Sequence, residues 1–496
     1  MENNRRITKL SNCVVVDVEK GETQPGLRDI YMQGGRIMAL CAQGQEHPEA
    51  DRVIEAGKNY VIPGMINTHC HNTYITPAIV SDGKTIQATK RCAEQQIAYN
   101  MKQCVEHGIT TIRDALSDNL TKINRLRDAV TSGETVGPRI FASVLLSHAK
   151  GACIQPKSFI GKLLMRMVGV PILDYADSGT GVVLLPEKPS SEDLEMAVDE
   201  AVRRGADFVK YYNQHEKMLT YKPGAEVMTD QELSVAAARC RSRGLRTLMH
   251  LLNADAFSSG CSCGVDSLSH LPIDRKLTET EIDAFSASDA MIEPTLCLAY
   301  YYCWIHDETP YEHERLIKLS QYRYDNFHQV TDACWIPPLR DGVYRNFERA
   351  AERKFKTFGG LSMLPFFRYM DSFITTGFDN MVALLKSGCR HKISFGNDAG
   401  ATQCSPATKE IEIDLLKMCC NEAGMSAQET NMFLVQVFTR NGAVALGKGD
   451  HLGCIQEGYC ADLAVYRTNP LTDADVLKGK TVVTVVDGNV YETEST

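Results

Sequence analysis

Val61-Ile62-Pro63-Gly64-Met65-Ile66-Asn67-Thr68-His69-Cys70-His71 is the stretch on which the fold turns. An apolar run broken by Pro-Gly resumes and closes on His-x-His, the pattern of a buried strand delivering two imidazoles at its carboxyl end. Side chains two apart on a strand share a face, so His69 and His71 enter one cavity together. Neutral imidazole is the commonest metal-ligating side chain. An isolated His-x-His is a weak signal, and its weight comes from what the rest of the chain sets beside it.

Upstream, from Arg6 to about Tyr60, the texture is short alternating runs, Cys13-Val14-Val15-Val16-Asp17-Val18 and Ile30-Tyr31-Met32-Gln33, with Gly34-Gly35 as a hairpin signal before Arg36-Ile37. It returns at the far end in Asp462-Leu463-Ala464-Val465-Tyr466 and Thr481-Val482-Val483-Thr484-Val485-Val486, followed by the turn Asp487-Gly488. Residues 1–60 and 448–496 are therefore expected to build one β-sandwich from both termini.

Downstream, across 61–447, strand-like and helix-like segments alternate. Gly108 to Asp114 reads as a second strand, Pro138 to Val144 as a third, Gly205 to Lys210 as a fourth and Leu245 to His250 as a fifth. Gly264 to His270, Ala290 to Thr295 and Arg390 to Asp398 complete the series, and a long loop is expected from Leu146 to about Pro189. Eight such repeats predict an α/β fold, a (β/α)8 TIM barrel, whose chemistry sits at the carboxyl ends of the strands. The stretch 299–373, with Tyr300-Tyr301-Tyr302 and Phe366-Phe367, is too long for a simple link and is read as a helical insertion serving as a lid or an oligomer contact.

Composition narrows the function. The chain of 496 residues, 44% hydrophobic and 23% charged, suits one large barrel with a satellite domain. A net charge of -9 with no basic cluster excludes a nucleic-acid partner as the leading reading. No apolar run of spanning or signal length follows the polar N-terminus, so no membrane partner and a cytoplasmic location are expected. The 18 cysteines read as reduced, buried small hydrophobes, since Cys261-Ser262-Cys263 and Cys419-Cys420 lack a second pair at zinc-ribbon spacing.

Six residues at five of the predicted strand ends carry the argument further. His69, His71, Lys210, His250, His270 and Asp398, with Pro63-Gly64-Met65-Ile66, Gly108-Ile109-Thr110-Thr111, Phe395-Gly396-Asn397-Asp398 and Gly458-Tyr459-Cys460-Ala461-Asp462-Leu463, closely resemble the amidohydrolase superfamily over nearly the whole chain. Its prolidase, imidazolonepropionase-like and ochratoxinase-type binuclear branch is the most similar.

The resemblance implies a site of two divalent metal ions, zinc suiting the ligands best and iron, manganese, nickel and cobalt being admissible. His69 and His71 would hold the first ion and His250 and His270 the second. Lys210, carboxylated by CO2, would bridge them as a carbamate, because a plain ammonium has only donors and repels a dication. Asp398 would bind the first ion, take a proton from the bridging water and pass it to the leaving nitrogen. His148, just past the third strand, would meet the substrate, while Tyr211 and Tyr212 either reach a substrate carboxylate or pack.

The implied reaction is hydrolysis of the amide C–N bond of an N-acyl amino acid or dipeptide-like small molecule. Cyclic-amide hydrolysis is the alternative that also uses a bridging lysine. Deaminases of the superfamily usually lack a strand-four lysine, which Lys210 supplies, and a non-catalytic assembly protein would have lost ligands that are all filled here. A homo-oligomer is expected from the relatives.

Overall fold

At Gly64 the chain steps from one sheet into another. Tyr60–Pro63 pairs antiparallel with Leu463–Tyr466 in a terminal sheet, and Met65–Cys70 pairs parallel with Ile109–Asp114 in a barrel sheet. Only glycine fits between them, because a Cβ at Gly64 would stand 2.1 Å from the Thr110 hydroxyl. The computed structural model describes residues 6–45, 47, 49–77, 82–155, 158–167, 172–217, 223–303, 313–351, 357–358, 361–362 and 364–493.

The barrel sheet is parallel throughout. Its path runs Met291–Glu293, Ser267–Ser269, Arg246–His250, Phe208–Tyr212, Arg139–His148, Ile109–Asp114 and Met65–Cys70. The gap between the two end strands is nearly closed by residues 393–398: Ser394 N donates to Ile292 O at 2.9 Å on one side, and Thr68 N donates to Phe395 O at 2.8 Å on the other. Isolated bridges replace the regular eighth strand that the sequence suggests, and Cys389–Lys392 before them is a short 3-10 helix.

The expected long loop after the third strand also differs. It contains a helix, Phe159–Met167, and a strand, Val182–Leu185, which pairs parallel with the end of Arg139–His148. Four apolar residues between turns are too few to show a period, which is why this strand reads as loop in the sequence.

Helices cover the barrel. Ser191–Arg203 and Asp230–Ser242 each start in a capping box, Ser190 with Asp193 and Thr229 with Glu232, and turn Leu194, Val198, Leu233 and Ala236 inward. One continuous apolar core joins these faces to the outward sides of the strands.

Both termini contribute to a single nine-stranded sheet, ordered Asn489–Glu492, Val483–Val486, Leu463–Tyr466, Tyr60–Pro63, Thr8–Asp17, Arg28–Gln33 and Arg36–Ala42, with Glu22–Thr23 and Arg52–Glu55 paired to Thr8–Asp17 off that path. The long strand changes partners at a bulge after Leu10, where Asn12 has a φ of 57°. The sheet thereby folds over its own core, in which Leu10, Ile30, Val61, Val465 and Val485 meet. The two layers expected of a sandwich are thus halves of one curled sheet.

The insertion at 299–373 is described in part, residues 304–312, 352–356, 359–360 and 363 lying outside the described residues. Its helices Glu314–Cys334 and Pro337–Ala351 are fastened to Gly83–Glu106, Gln96 Nε2 donating to Cys334 O at 2.8 Å and Arg345 meeting Asp82 at 2.9 Å. Trp335 Nε1 donates to Gln403 O at 3.1 Å, which ties the insertion to the loop beyond Asp398.

Candidate active site

Two imidazoles converge on one oxygen. His69 Nε2 lies 3.2 Å and His71 Nε2 3.0 Å from the same Asp398 Oδ1, with all three side chains buried. Asp398 reaches this position through a left-handed backbone, φ 49°, and His270 and Thr295 adopt the same rare conformation at φ 74° and 47°. Such residues each cost about 1–3 kcal/mol and persist where the surroundings over-determine them. Here Asn397 supplies the restraint: its Nδ2 donates to Ser405 O and Thr408 O at 2.8 and 2.7 Å, and its Oδ1 accepts from Asn67 Nδ2 at 2.9 Å. Gly396 lets the segment approach, since a Cβ there would be 2.6 Å from His69 Cβ.

The other imidazoles continue the row. The His270 ring lies 5.0 Å from that of His69, and the His250 ring 4.6 Å from that of His270. Tyr212 stacks on His250 at 3.8 Å, and Lys210, 1% exposed, places Nζ 5.9 Å from the Tyr212 ring. The four imidazoles, Asp398 and Lys210 therefore lie near one another at the carboxyl end of the barrel sheet.

Hydrogen bonds fix which imidazole nitrogens are bare. His71 Nδ1 donates to Leu116 O at 2.8 Å, which leaves a lone pair on its Nε2 facing the Asp398 carboxylate. Thr295 spends its hydroxyl proton on Pro294 O and accepts from His270 Nδ1 at 2.6 Å, leaving His270 Nε2 bare. Gln214 Oε1 accepts from His250 Nε2 at 2.7 Å, leaving His250 Nδ1 bare. Neither nitrogen of His69 has a hydrogen-bond partner although both are buried.

Burial holds the His250 imidazole well below its ordinary pKa and that of His270 at about 3, so both are neutral. Burial alone would raise the Asp398 carboxyl, but positive charge among His69 and His71, whether a proton or a bound cation, outweighs it and holds the group well below the usual carboxylate range. Lys210 is lowered by burial, with Asp398 the strongest opposing charge.

With this geometry established, the sequence model of the amidohydrolase family matches residues 60–491. The chain belongs to the amidohydrolase family. It is accordingly a hydrolase of carbon–nitrogen bonds. Among solved structures this amidohydrolase is similar to a Xaa-Pro dipeptidase with bound methionine, at a TM-score of 0.66 and 20% identity over 98% of this chain and 100% of that one. It is also similar to ochratoxinase of A. niger, at 0.66 and 14% over 99% and 96%, and to molinate hydrolase, at 0.66 and 17% over 98% and 95%. No curated protein sequence matches. At these identities the structural likeness speaks to the fold.

The donor set of this amidohydrolase fits divalent metal. Bare imidazole lone pairs aimed at a carboxylate oxygen 3.0 Å away repel one another unless a cation stands among them, and two orphaned nitrogens on buried His69 call for the same remedy. His69, His71 and Asp398 offer ligand atoms within 4.8 Å of one another.

The residues expected to meet substrate divide. Tyr212 lies on the cavity side with Lys210, whereas Tyr211, one residue out of phase, turns to the helical layer, its hydroxyl 3.8 Å from Cys240 Sγ. His148 is the last residue of its strand, and its Nε2 is 3.4 Å from Glu232 at the start of Asp230–Ser242, while its buried Nδ1 has no hydrogen-bond partner.

Several supporting residues are not singled out in the sequence. Arg113 and Glu293 form a fully buried ion pair at 2.5 Å, and Glu293 Oε2 lies 3.9 Å from His69 Nδ1. Arg113 also donates to Thr68 O at 2.7 Å and to Ser267 Oγ at 3.2 Å, so one guanidinium joins opposite parts of the barrel wall. The position of Glu293 at a predicted strand end is the one signal that could have found it.

Proposed function

We propose that this chain is a binuclear metal-dependent amidohydrolase that cleaves the amide C–N bond of an N-acyl amino acid or a dipeptide-like compound. The observation that carries the reading is the row of four buried imidazoles, bare on the nitrogens that face the cavity, running from the Asp398 carboxylate to the buried Lys210. In this reading the fold is a (β/α)8 barrel and the ions lie at the carboxyl ends of its strands.

His69, His71 and Asp398 are assigned to one divalent ion and His250 with His270 to the other. Lys210 is assigned to the bridge. Its lowered pKa leaves more of the neutral amine, whose lone pair adds to CO2 with loss of a proton, giving a carbamate with an oxygen for each side. When bound, such ions supply a hydroxide at neutral pH and polarise the scissile carbonyl.

The remaining chemistry belongs to the side chains. Asp398 stays ionised, accepts the proton of the attacking water on its carboxylate and returns it to the leaving nitrogen. Gln214 and Thr295 hold the imidazoles of His250 and His270 in their tautomers, so that each ring presents a lone pair throughout the cycle. Tyr212, stacked on His250, forms one wall of the cavity and orients the substrate beside the Lys210 bridge.

The names of similar structures, Xaa-Pro dipeptidase and ochratoxinase among them, support a dipeptide-like or N-acyl amino acid substrate. The test is a hydrolysis screen of N-acyl amino acids, dipeptides and cyclic amides with metal-loaded enzyme. Turnover of the first two classes is expected. Turnover confined to cyclic amides would overturn the substrate reading and leave the site assignment standing.

A further inference from the structure

The loop that follows strand Arg139–His148 leaves the barrel at the same end as the imidazoles, and it presents an unusual surface. Among the described residues ten large hydrophobic side chains are exposed, and four of them, Phe159, Ile160, Leu163 and Ile172, fall within fourteen positions of this loop. Phe159 and Ile160 stand 82% and 70% exposed, adjacent on the helix Phe159–Met167. Scattered exposed hydrophobics need no explanation, but a cluster of this kind marks a surface that something covers.

Charge indicates what covers it. Residues 149–173 hold four lysines or arginines and no carboxylate, in a chain where 62 of 496 residues are acidic, although Lys150 is paired with Glu226 at 3.0 Å. The exposed helix carries Lys162 beside Phe159, Ile160 and Leu163. Below it an open groove of about 540 Å³ continues the apolar surface through Ile172, Leu173, Val183 and Leu184, with Lys162 and Arg204 as its cations and Asp174 as its carboxylate. Aromatic and aliphatic side chains beside cations on a short exposed helix are the composition of a segment that lies in the interface of an anionic bilayer.

The presentation is built rather than loose. Tyr175 Oη accepts from Gln155 N at 2.6 Å and Gln155 Oε1 accepts from Leu173 N at 2.9 Å, so the two legs of the loop are pinned together below the helix.

We propose that the helix Phe159–Met167 docks the protein on anionic lipid, seating the mouth of the active-site cavity at the membrane surface. This mode is distinct from spanning: among the described residues no helix is long and apolar enough to cross a membrane. It revises the expectation of no membrane partner, which rested on spanning length alone. The docking stands on the helix and its place in the fold, and does not depend on the substrate reading.

Co-sedimentation of the full-length protein with vesicles tests it. Binding is expected to vesicles of phosphatidylcholine with phosphatidylglycerol and to weaken with salt, with little binding to phosphatidylcholine alone. Phe159→Ser/Ile160→Ser should abolish it, and Lys162→Glu should weaken it by at least about fivefold. Because these side chains are on the surface, unchanged unfolding temperature and unchanged turnover of a water-soluble substrate will show that the variants remain folded. The proposal is overturned if the wild type fails to sediment with anionic vesicles, or if both variants sediment as the wild type does. It is equally overturned if Phe159→Ser/Ile160→Ser splits an oligomer while the wild type ignores vesicles, for then a second copy of the chain covers the helix.

Discussion

The two halves of the imidazole row are built on different electrostatics. Around His69 and His71 the partners are charged: Asp398 stands at 3.2 and 3.0 Å, and Glu293, paired with Arg113, lies 3.9 Å from His69. Around His250 and His270 the hydrogen-bond partners are neutral, Gln214 and Thr295, and the charges they feel are those of Lys210 and, from the first half, Asp398. The first half is ready for a dication as it stands. In the proposed reading the second becomes so only when Lys210 is turned into an anion, which would give a buried lysine the place of a carboxylate.

Removing the charged partner of the first half should have the largest effect. Asp398→Asn keeps the shape but neither ionises nor carries a proton, and kcat is expected to fall by about 10³-fold or more. Steady-state kinetics on whichever substrate the screen identifies will measure it. A loss below tenfold would remove Asp398 from the proton path.

Next comes the support behind His69. Arg113→Met leaves Glu293 ionised, fully buried and unpaired, which should cost about 3–5 kcal/mol in denaturant unfolding. The double variant Arg113→Met/Glu293→Gln should recover much of the loss, as expected when an uncompensated charge rather than lost packing is responsible.

The support behind His270 behaves differently because it responds to pH. Glu412 is buried and accepts from the backbone N–H groups of Leu296 and Cys297 at 3.0 and 2.8 Å, just beyond Thr295. Burial pushes its carboxyl up from 4.5 to about 7 despite those donors. Between these values the folded state keeps a proton that the unfolded chain has released, so this group costs stability as pH rises through the window, by about 3 kcal/mol in all. Glu412→Gln should remove that part of the slope in unfolding measured from pH 4.5 to 7.5. An unchanged slope would show that the carboxyl is ionised in the native protein.

The smallest effect is expected at the neutral partner of the second half. Gln214→Ala frees the His250 ring to turn, and the affinity for one of two ions is expected to weaken by about 10–100-fold with the other unaffected. Competition with a chelator will resolve the two.

How far the sequence led follows from the same physics. Side-chain alternation with a period of two puts His69 and His71 on one face, and the rule that barrel chemistry sits at strand carboxyl ends, together with the resemblance to amidohydrolases, adds Lys210, His250, His270 and Asp398. Applied after Lys210, the alternation separates Tyr212 from Tyr211, a distinction that reading the pair as a unit conceals. The strand Val182–Leu185 is too short to carry a period, and the segment 393–398 looks like a strand in sequence yet makes only isolated bridges. The neutral and charged partners behind the imidazoles come from distant positions, Arg113 to Glu293 being 180 residues apart, and no local pattern links them.

Metal stoichiometry of the purified, metal-loaded protein, compared between wild type and Lys210→Ala, tests the division into two halves most directly. Two ions per chain are expected in the wild type and one in the variant, with part of the lost activity restored by a small carboxylic acid in place of the carbamate. One ion in the wild type, or two in Lys210→Ala with activity intact, would contradict the account.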